Sequence, residues 1–362
     1  MTNSSVAGRV QTVLGTIDPK DLGVTLVHEH LLVDVSSFMS PPTDEAEIAL
    51  YNAPLSLENL GYIRHYHAPN FDNGILDDVD IAIEEERLYA ESGGRSVIDV
   101  TSLGIGRNPQ GLAQISRETG LNVVMGASYY VADAHPHDMS DRSEDQIVDE
   151  IVRDVTEGVD GTSIKSGVIG EVGCSWPMTN HERKVLRASA RAQRITGAPL
   201  LVHPGRDQHA PLEIIDVVRE AGGELGRTTI SHIERTMFDH DLIRRAFESG
   251  CFLAWDQFGR EVSLYTPEPR TDFPNDATKM DYLAWAINEG FGDKVLIAHD
   301  ICHKERTLRY GGHGLPYILR NIVPRMQKRG ISRDAIDMIL VDNPARAFTI
   351  SVPERRDSRP RS

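Results

Sequence analysis

Cysteine is scarce in this 362-residue chain: Cys174, Cys251 and Cys302 are the only three, widely spaced and in no Cys-x-x-Cys pair. That excludes a disulfide framework and fits a reducing, cytoplasmic compartment. Basic charge is also in deficit, with 38 Lys and Arg against 54 Asp and Glu and a formal charge of −16. A chain this acidic repels phosphate backbones and anionic lipid, so neither nucleic acid nor a membrane surface is expected as a partner. The one basic cluster, PERRDSRPRS, falls in the last residues, where 351–362 read as a disordered tail. No apolar run approaches the length that spans a bilayer, and MTNSSVAGRVQTV has no charged segment leading into an apolar core. A nucleotide-binding glycine loop is missing too. GIGRNPQG at 104–111 has no third glycine in place, and Asn108-Pro109 reads as a helix N-cap followed by proline at the first helical position.

What the chain does have is an alternation of short β-branched or apolar runs with longer amphipathic segments, repeated about eight times. The runs begin with VTLVHEH (24–30) and SVIDVTS (96–102) and end with CFLAWDQ (251–257) and KVLIAHD (294–300). Between them lie stretches such as SEDQIVDEIVRDVTEG and TNHERKVLRASARAQRITG, opened by Ser or Thr and closed by Gly. Strands alternating with helices of this length indicate parallel βαβ units. Eight in one chain predict an α/β fold closed as a (β/α)₈ TIM barrel, a single domain over 1–350. Two segments fall outside the alternation, 36–77 after the first run and 262–276 after the seventh. Both are expected as long loops on the C-terminal face, where barrels build their active sites.

Two histidines stand where the first run calls for Val or Leu. Strand geometry puts His28 and His30 on one side and Glu29 on the other. Imidazoles inside a barrel are costly unless hydrogen-bonded or metal-bound, and for a lone His-x-His the first reading leads. Four more run ends change the balance: Glu171, His203, His232 and Asp300 close runs four, five, six and eight. Six ligating groups at equivalent positions point to a metal centre. Four neutral imidazoles with two carboxylates suit Zn²⁺, with Mn²⁺, Co²⁺ or Fe²⁺ as alternatives, and are too rich in nitrogen for Ca²⁺ or Mg²⁺. Six ligands exceed one zinc site, so two ions per chain are expected, about 3.5–4 Å apart, with a bridging hydroxide as nucleophile. Asp300 is then the group to take the water's proton and return it to the leaving group. Cys302 beside His303, and Cys174 near Glu171, raise a thiol nucleophile that would only duplicate the hydroxide.

These residues sit in motifs that resemble the phosphotriesterase family of the amidohydrolase superfamily, most closely its phosphotriesterase-related branch. The motifs are GVIGEVGCSWPMTNHERKVL, LVHPGR, SHIERT and HDICHKERTLRYGGHG, and the likeness runs from GRVQTVLGTIDPKDLGVTLVHEHL to ILVDNPARAF, nearly the whole chain. The resemblance implies a binuclear barrel hydrolase in which His28, His30 and Asp300 hold one ion, His203 and His232 the other, and Glu171 bridges them. Phosphotriesterases bridge with a carboxylated lysine. Alignment puts Gly170 in its place, with Glu171 one residue on, and Lys165 is the only lysine nearby. Their proton shuttle, an aspartate after the sixth strand and a histidine after the seventh, is replaced here by Arg235 and Gln257.

Those departures and the likeness to the phosphotriesterase-related branch favour a carbonyl substrate, an amide, ester or lactone, over a phosphotriester, and the resemblance to that branch implies N-acyl amino acid or N-acyltaurine amides as the substrate class. Tyr130 matches a tyrosine that points over the centre in lactone-hydrolysing relatives and is expected to polarise the carbonyl, with ordinary packing as its alternative. Arg206, three residues after His203, is expected to pair with an anionic substrate group, or else to be a surface arginine. The resemblance also implies a homodimer acting on a small molecule. The competing readings are a phosphotriester hydrolase, a catalytically silent metal-containing binding protein, and a one-ion lyase or isomerase.

Overall fold

The computed structural model describes residues 6–352 except 67, 68, 263, 267 and 269, so His67 and tail residues 353–362 lie outside the described residues. Eight parallel strands follow one another in a single sheet. They are β1 (Thr25–Glu29), β2 (Ser96–Asp99), β3 (Asn122–Ala127), β4 (Val168–Gly173), β5 (Leu200–His203), β6 (Thr228–Ile230), β7 (Phe252–Trp255) and β8 (Val295–Ile297). The seam between β8 and β1 closes through the Asp300 amide, which donates to the His28 carbonyl at 3.1 Å. Glu29, facing outward, stitches the same seam by accepting from the amides of His299 and Ile301 at 2.8 and 3.0 Å. The result is the (β/α)₈ barrel that the alternation predicts.

The intervening segments are helices for the local reasons legible in their sequence. Ser143 and Thr179 each form a capping box, ahead of helices Glu144–Thr156 and Asn180–Thr196. Asn108 caps Pro109–Thr119 by accepting from the Gly111 amide at 2.9 Å, with proline at its first turn. Apolar faces of these helices pack on outward strand residues such as Val97, Val123, Leu200 and Leu253, while Val27, Ile98, Val124, Leu201, Phe252 and Leu296 fill the barrel interior. The segment 36–77 is less loop-like than expected. It contains helices Glu45–Asn52 and Leu57–Tyr66, the first capped by Asp44, whose carboxylate accepts from the amides of Ala46 and Glu47. Arg64 fastens this cover to the β8 loop by donating to the carbonyls of Glu305 and Gly311.

Two irregularities decide which side chains reach the barrel mouth. Val168 faces the interior, so strict alternation would give that side to Gly170 and turn Glu171 outward. Instead the pairing of β4 with β5 shifts register between Ile169 and Val172, and Glu171 turns inward. Gly170, joined to Glu171 by a cis peptide, takes φ +145° there, and a Cβ on it would lie 2.3 Å from the Leu201 carbonyl oxygen. A matching shift in β1 between Leu26 and Glu29 lets Val27 fill the interior while His28 and His30 also face inward.

Candidate metal centre

The six residues expected at the barrel mouth meet there, and all six are buried. Glu171 is central. Its Oε1 lies 2.6 Å from His203 Nδ1, 3.0 Å from His232 Nε2 and 3.4 Å from His28 Nε2, and its Oε2 lies 3.8 Å from His30 Nε2. Asp300 Oδ1 lies 3.4 Å from His30 Nε2 and 3.7 Å from His28 Nε2. His232 Nε2 and His203 Nδ1 are 2.9 Å apart. Two overlapping groups of potential ligands result, His28 with Glu171 and His232, and His28 with His30 and Asp300. His232 and Asp300 both stand just beyond their strands at φ +55°, a left-handed conformation that non-glycine residues adopt mainly where the surrounding structure demands it.

The donor set fits divalent ions. Ligands 2.0–2.1 Å from a tetrahedral Zn²⁺ are roughly 3.3–3.4 Å from one another, close to the spacing of His28, His30, Glu171 and Asp300. His28 Nε2 is fully buried and has no hydrogen-bond partner among the described residues, which is costly unless a ligand occupies it. Its ring is turned by its other nitrogen, Nδ1, 3.0 Å from Ser231 Oγ and 3.1 Å from Asp256 Oδ2. His30 is oriented likewise, with Nδ1 2.9 Å from Thr101 Oγ1, and His232 with Nδ1 2.7 Å from Asp256 Oδ1. Three of the four imidazoles therefore present Nε2 inward, held by partners behind them.

Charge in the cluster sets two protonated imidazoles, His28 and His232, against carboxylates. Burial alone would lower the pKa of His28, but the charges of Glu171 and Asp256 overcome it and raise the value to about 9. His232 is raised to about 10 against its own burial penalty, chiefly by Asp256. His203 is dominated by burial and falls to about 3. Burial opposes ionisation of Glu171, yet His203 and His28 hold it well below the ordinary carboxylate range; Asp300 is held low in the same way by His30 and its neighbours. A divalent cation takes the place of such protons.

The centre opens into a cavity of about 190 Å³ whose walls include Tyr130, Arg206, Arg235, Arg260 and Tyr265. Tyr130 reaches the centre, its hydroxyl 3.4 Å from His203 Nδ1. Burial and then the charge of Glu171 push its phenol well up, so it stays an O–H donor. Arg206 sits at the rim with Nε donating to the Tyr265 hydroxyl at 2.7 Å. Trp176 is exposed and is not among the residues lining the cavity. Cys302 and His303 do line it, with Sγ 3.2 Å from Nδ1, but burial holds the thiol well above its usual pKa, the wrong direction for a nucleophile.

Sequence reasoning missed Asp256 and the contacts that Gln257 and Arg235 make. Asp256, fully buried just past β7, supports both His28 and His232. The signal was available, since AWDQ ends the seventh run as the ligand residues end theirs. Gln257 donates from Nε2 to Asp300 Oδ2 at 2.7 Å, and Arg235 places a guanidinium nitrogen 3.1 Å from His203 Nε2. Gln257 thus steadies a ligand, whereas Arg235, able only to donate, meets the nitrogen of His203 that faces away from Glu171.

The model of the Phosphotriesterase family matches residues 8–348. The chain is 42% identical to the N-acetyltaurine hydrolase of Danio rerio over 347 residues, 96% of this chain and 99% of that protein. Among solved structures it is similar to a resiniferatoxin-binding protein from Rhodobacter sphaeroides, with a TM-score of 0.92 and 37% identity over 96% of this chain and 98% of the other. It is also similar to the phosphotriesterase homology protein of Escherichia coli, solved with phosphate in its active site, with a TM-score of 0.76 and 27% identity over 92% of this chain and 100% of that one.

Proposed function

We propose, for a chain that belongs to the phosphotriesterase family and is a metal-dependent hydrolase, that it cleaves the amide bond of an N-acyltaurine or a closely related N-acyl amino acid. The observation that carries this reading is the sharing of one cavity by the imidazole and carboxylate cluster and the Arg206 guanidinium, in a chain of net charge −16. An anionic tail then has a partner at the rim while the amide carbonyl reaches the centre.

Residues His28, His30 and Asp300 would hold one ion, His203 and His232 the second, and Glu171 both. Zn²⁺ is the first choice for this nitrogen-rich set, with Mn²⁺, Co²⁺ or Fe²⁺ as alternatives. When bound, the ions supply a water acidified toward neutrality and stabilise charge on the carbonyl oxygen. Asp300, steadied at Oδ2 by Gln257, takes the water's proton and passes it to the amine nitrogen as the C–N bond breaks and the new C–O bond forms. Tyr130 donates its hydroxyl to the carbonyl oxygen as negative charge develops there. Arg206 holds the sulfonate or carboxylate. The reading takes the active unit to be one domain over 1–350 in a cytoplasmic homodimer. The unpaired state of all three cysteines supports the compartment, and the habit of the family supports the dimer.

Protein reconstituted with Zn²⁺ or Mn²⁺ and assayed on N-acetyltaurine, N-acyl amino acids, lactones, aryl esters and phosphotriesters tests the reading. N-acetyltaurine should lead. A phosphotriester turned over far faster than every carbonyl substrate would overturn it. The similarity to a toxin-binding protein favours a second reading, a metal-containing binding protein. Asp300→Asn separates the two, because it abolishes turnover in an enzyme and spares ligand affinity in a binder.

A further inference from the structure

We propose that Arg206 and Arg260, both held over the ring of Tyr265, form a clamp that binds a sulfonate in preference to a carboxylate; the proposal rests on the N-acyltaurine reading above. The guanidinium carbons of Arg206 and Arg260 lie 5.6 and 5.3 Å from the Tyr265 ring centroid. Tyr265 is itself buried and carried by the segment 262–276, so this proline-rich loop brings the aromatic post to the cavity.

Three arginines line the cavity, and their commitments differ. Arg235 is occupied: it donates to the Pro204 carbonyl and the Thr236 hydroxyl and abuts His203. Arg206 uses only Nε, on the Tyr265 hydroxyl, which leaves its terminal nitrogens for another acceptor. The Arg260 guanidinium has ring contacts alone, to Tyr265 and Phe273, and meets no hydrogen-bond acceptor among the described residues. Neither Arg206 nor Arg260 forms an ion pair among the described residues. Glu268, the acid that acts on Arg206, is taken by Arg270 at 2.7 Å. Glu305 acts on Arg260 without forming an ion pair with it, and the like charge of Arg306 opposes it, so neither guanidinium of the pair is neutralised at contact distance. Burial would raise the Tyr265 phenol, yet Arg235, Arg206 and Arg260 outweigh it and hold the phenol below its usual value.

Two like charges gathered on one ring without a counterion in contact repel each other, less at solvent-exposed Arg206 than at half-buried Arg260, and an anion between them offsets that repulsion. A guanidinium fork engages two oxygens of its partner. A carboxylate offers two oxygens whose lone pairs lie in one plane, so a second fork must share the same two atoms in that plane. A sulfonate has a third, on a pyramidal centre, and serves a second fork arriving from another direction.

Titration of ethanesulfonate and propionate into the metal-loaded protein tests the clamp without requiring turnover. Wild type should bind ethanesulfonate at least tenfold more tightly than propionate. Arg260→Gln and Arg206→Gln should each weaken ethanesulfonate roughly tenfold or more and narrow its margin over propionate. Arg260→Lys, which keeps the charge and loses the fork, should recover only part. Equal affinity of wild type for the two anions, or an Arg260→Gln margin equal to wild type, overturns the proposal. If Arg260→Gln does not fold, the wild-type comparison and Tyr265→Phe, which frees Arg206, decide it. Parallel assays on N-acetyltaurine and N-acetyl-β-alanine keep the two claims apart. No hydrolysis of either, with selective ethanesulfonate binding intact, removes the N-acyltaurine reading and leaves the clamp.

Discussion

Asp256 Oδ1 lies 2.7 Å from His232 Nδ1, so a residue that touches no substrate aims an imidazole of the centre. The same carboxylate reaches His28, and the low pKa imposed on it by His232 and then His28, against its burial, keeps it anionic. Asp256→Asn keeps the volume and loses the charge that orients both rings. Metal affinity should fall about 10- to 100-fold with the fold intact. Metal competition against a chromogenic chelator, alongside circular dichroism, checks it; unchanged affinity would refute the role.

Asp300→Asn should lower kcat on the best amide substrate by about 10²- to 10⁴-fold, as expected for the group that moves the proton. Gln257→Leu, which removes only the bond to Oδ2, should cost less than Asp300→Asn. Steady-state kinetics at matched metal content decide the order, and a larger loss for Gln257→Leu would assign the proton to another carrier.

Gly170→Ala places a methyl group 2.3 Å from the Leu201 carbonyl oxygen at a φ that L side chains rarely adopt. Relieving the clash moves Glu171 out of the centre. Destabilisation of about 3 kcal/mol is expected, with loss of bound metal. Chemical denaturation and elemental analysis measure both, and a variant as stable as wild type with full metal content would rule the account out.

Metal loading should strengthen as pH rises from 6 to 10. His28 and His232, raised to about 9 and 10, must shed protons to bind an ion, so each ion captured releases protons. Stability of the metal-free protein should move the opposite way. Groups with raised folded-state pKa values stabilise fully below their unfolded value near 6.5, and that contribution is lost as pH climbs through 9 and 10. Denaturation of the metal-free protein across this range, with and without added Zn²⁺, should give curves of opposite slope.

Much of the centre was legible because ligands recur where runs end. Each run is a strand, and in a barrel every strand ends on the same face, so the run ends that carry His28, His30, Glu171, His203, His232 and Asp300 share one mouth once the alternation is read as eight βα units. Asp256 was legible in principle by the same rule. Tyr130 was placed by likeness and Arg206 by its position three residues after His203, and both line the cavity. The helices hidden in 36–77 were not legible, because proline-broken stretches such as SPPT and NAPL mask two short segments that take their stability from the surface they cover.

The sequence by itself determined the eight-fold alternation, the helix caps and the identity of the donor atoms, since these follow from local periodicity and side-chain chemistry. Only the tertiary structure decided which way those donors point. Simple alternation would have sent Glu171 out of the barrel, and the register shift at Gly170, set by how β4 lies against β5, brings it in. Closure likewise decided the company each residue keeps: Asp256 behind two imidazoles from other strands, and two arginines 54 positions apart over one tyrosine (206 and 260). Such pairings depend on long-range packing, which no window of neighbouring residues contains.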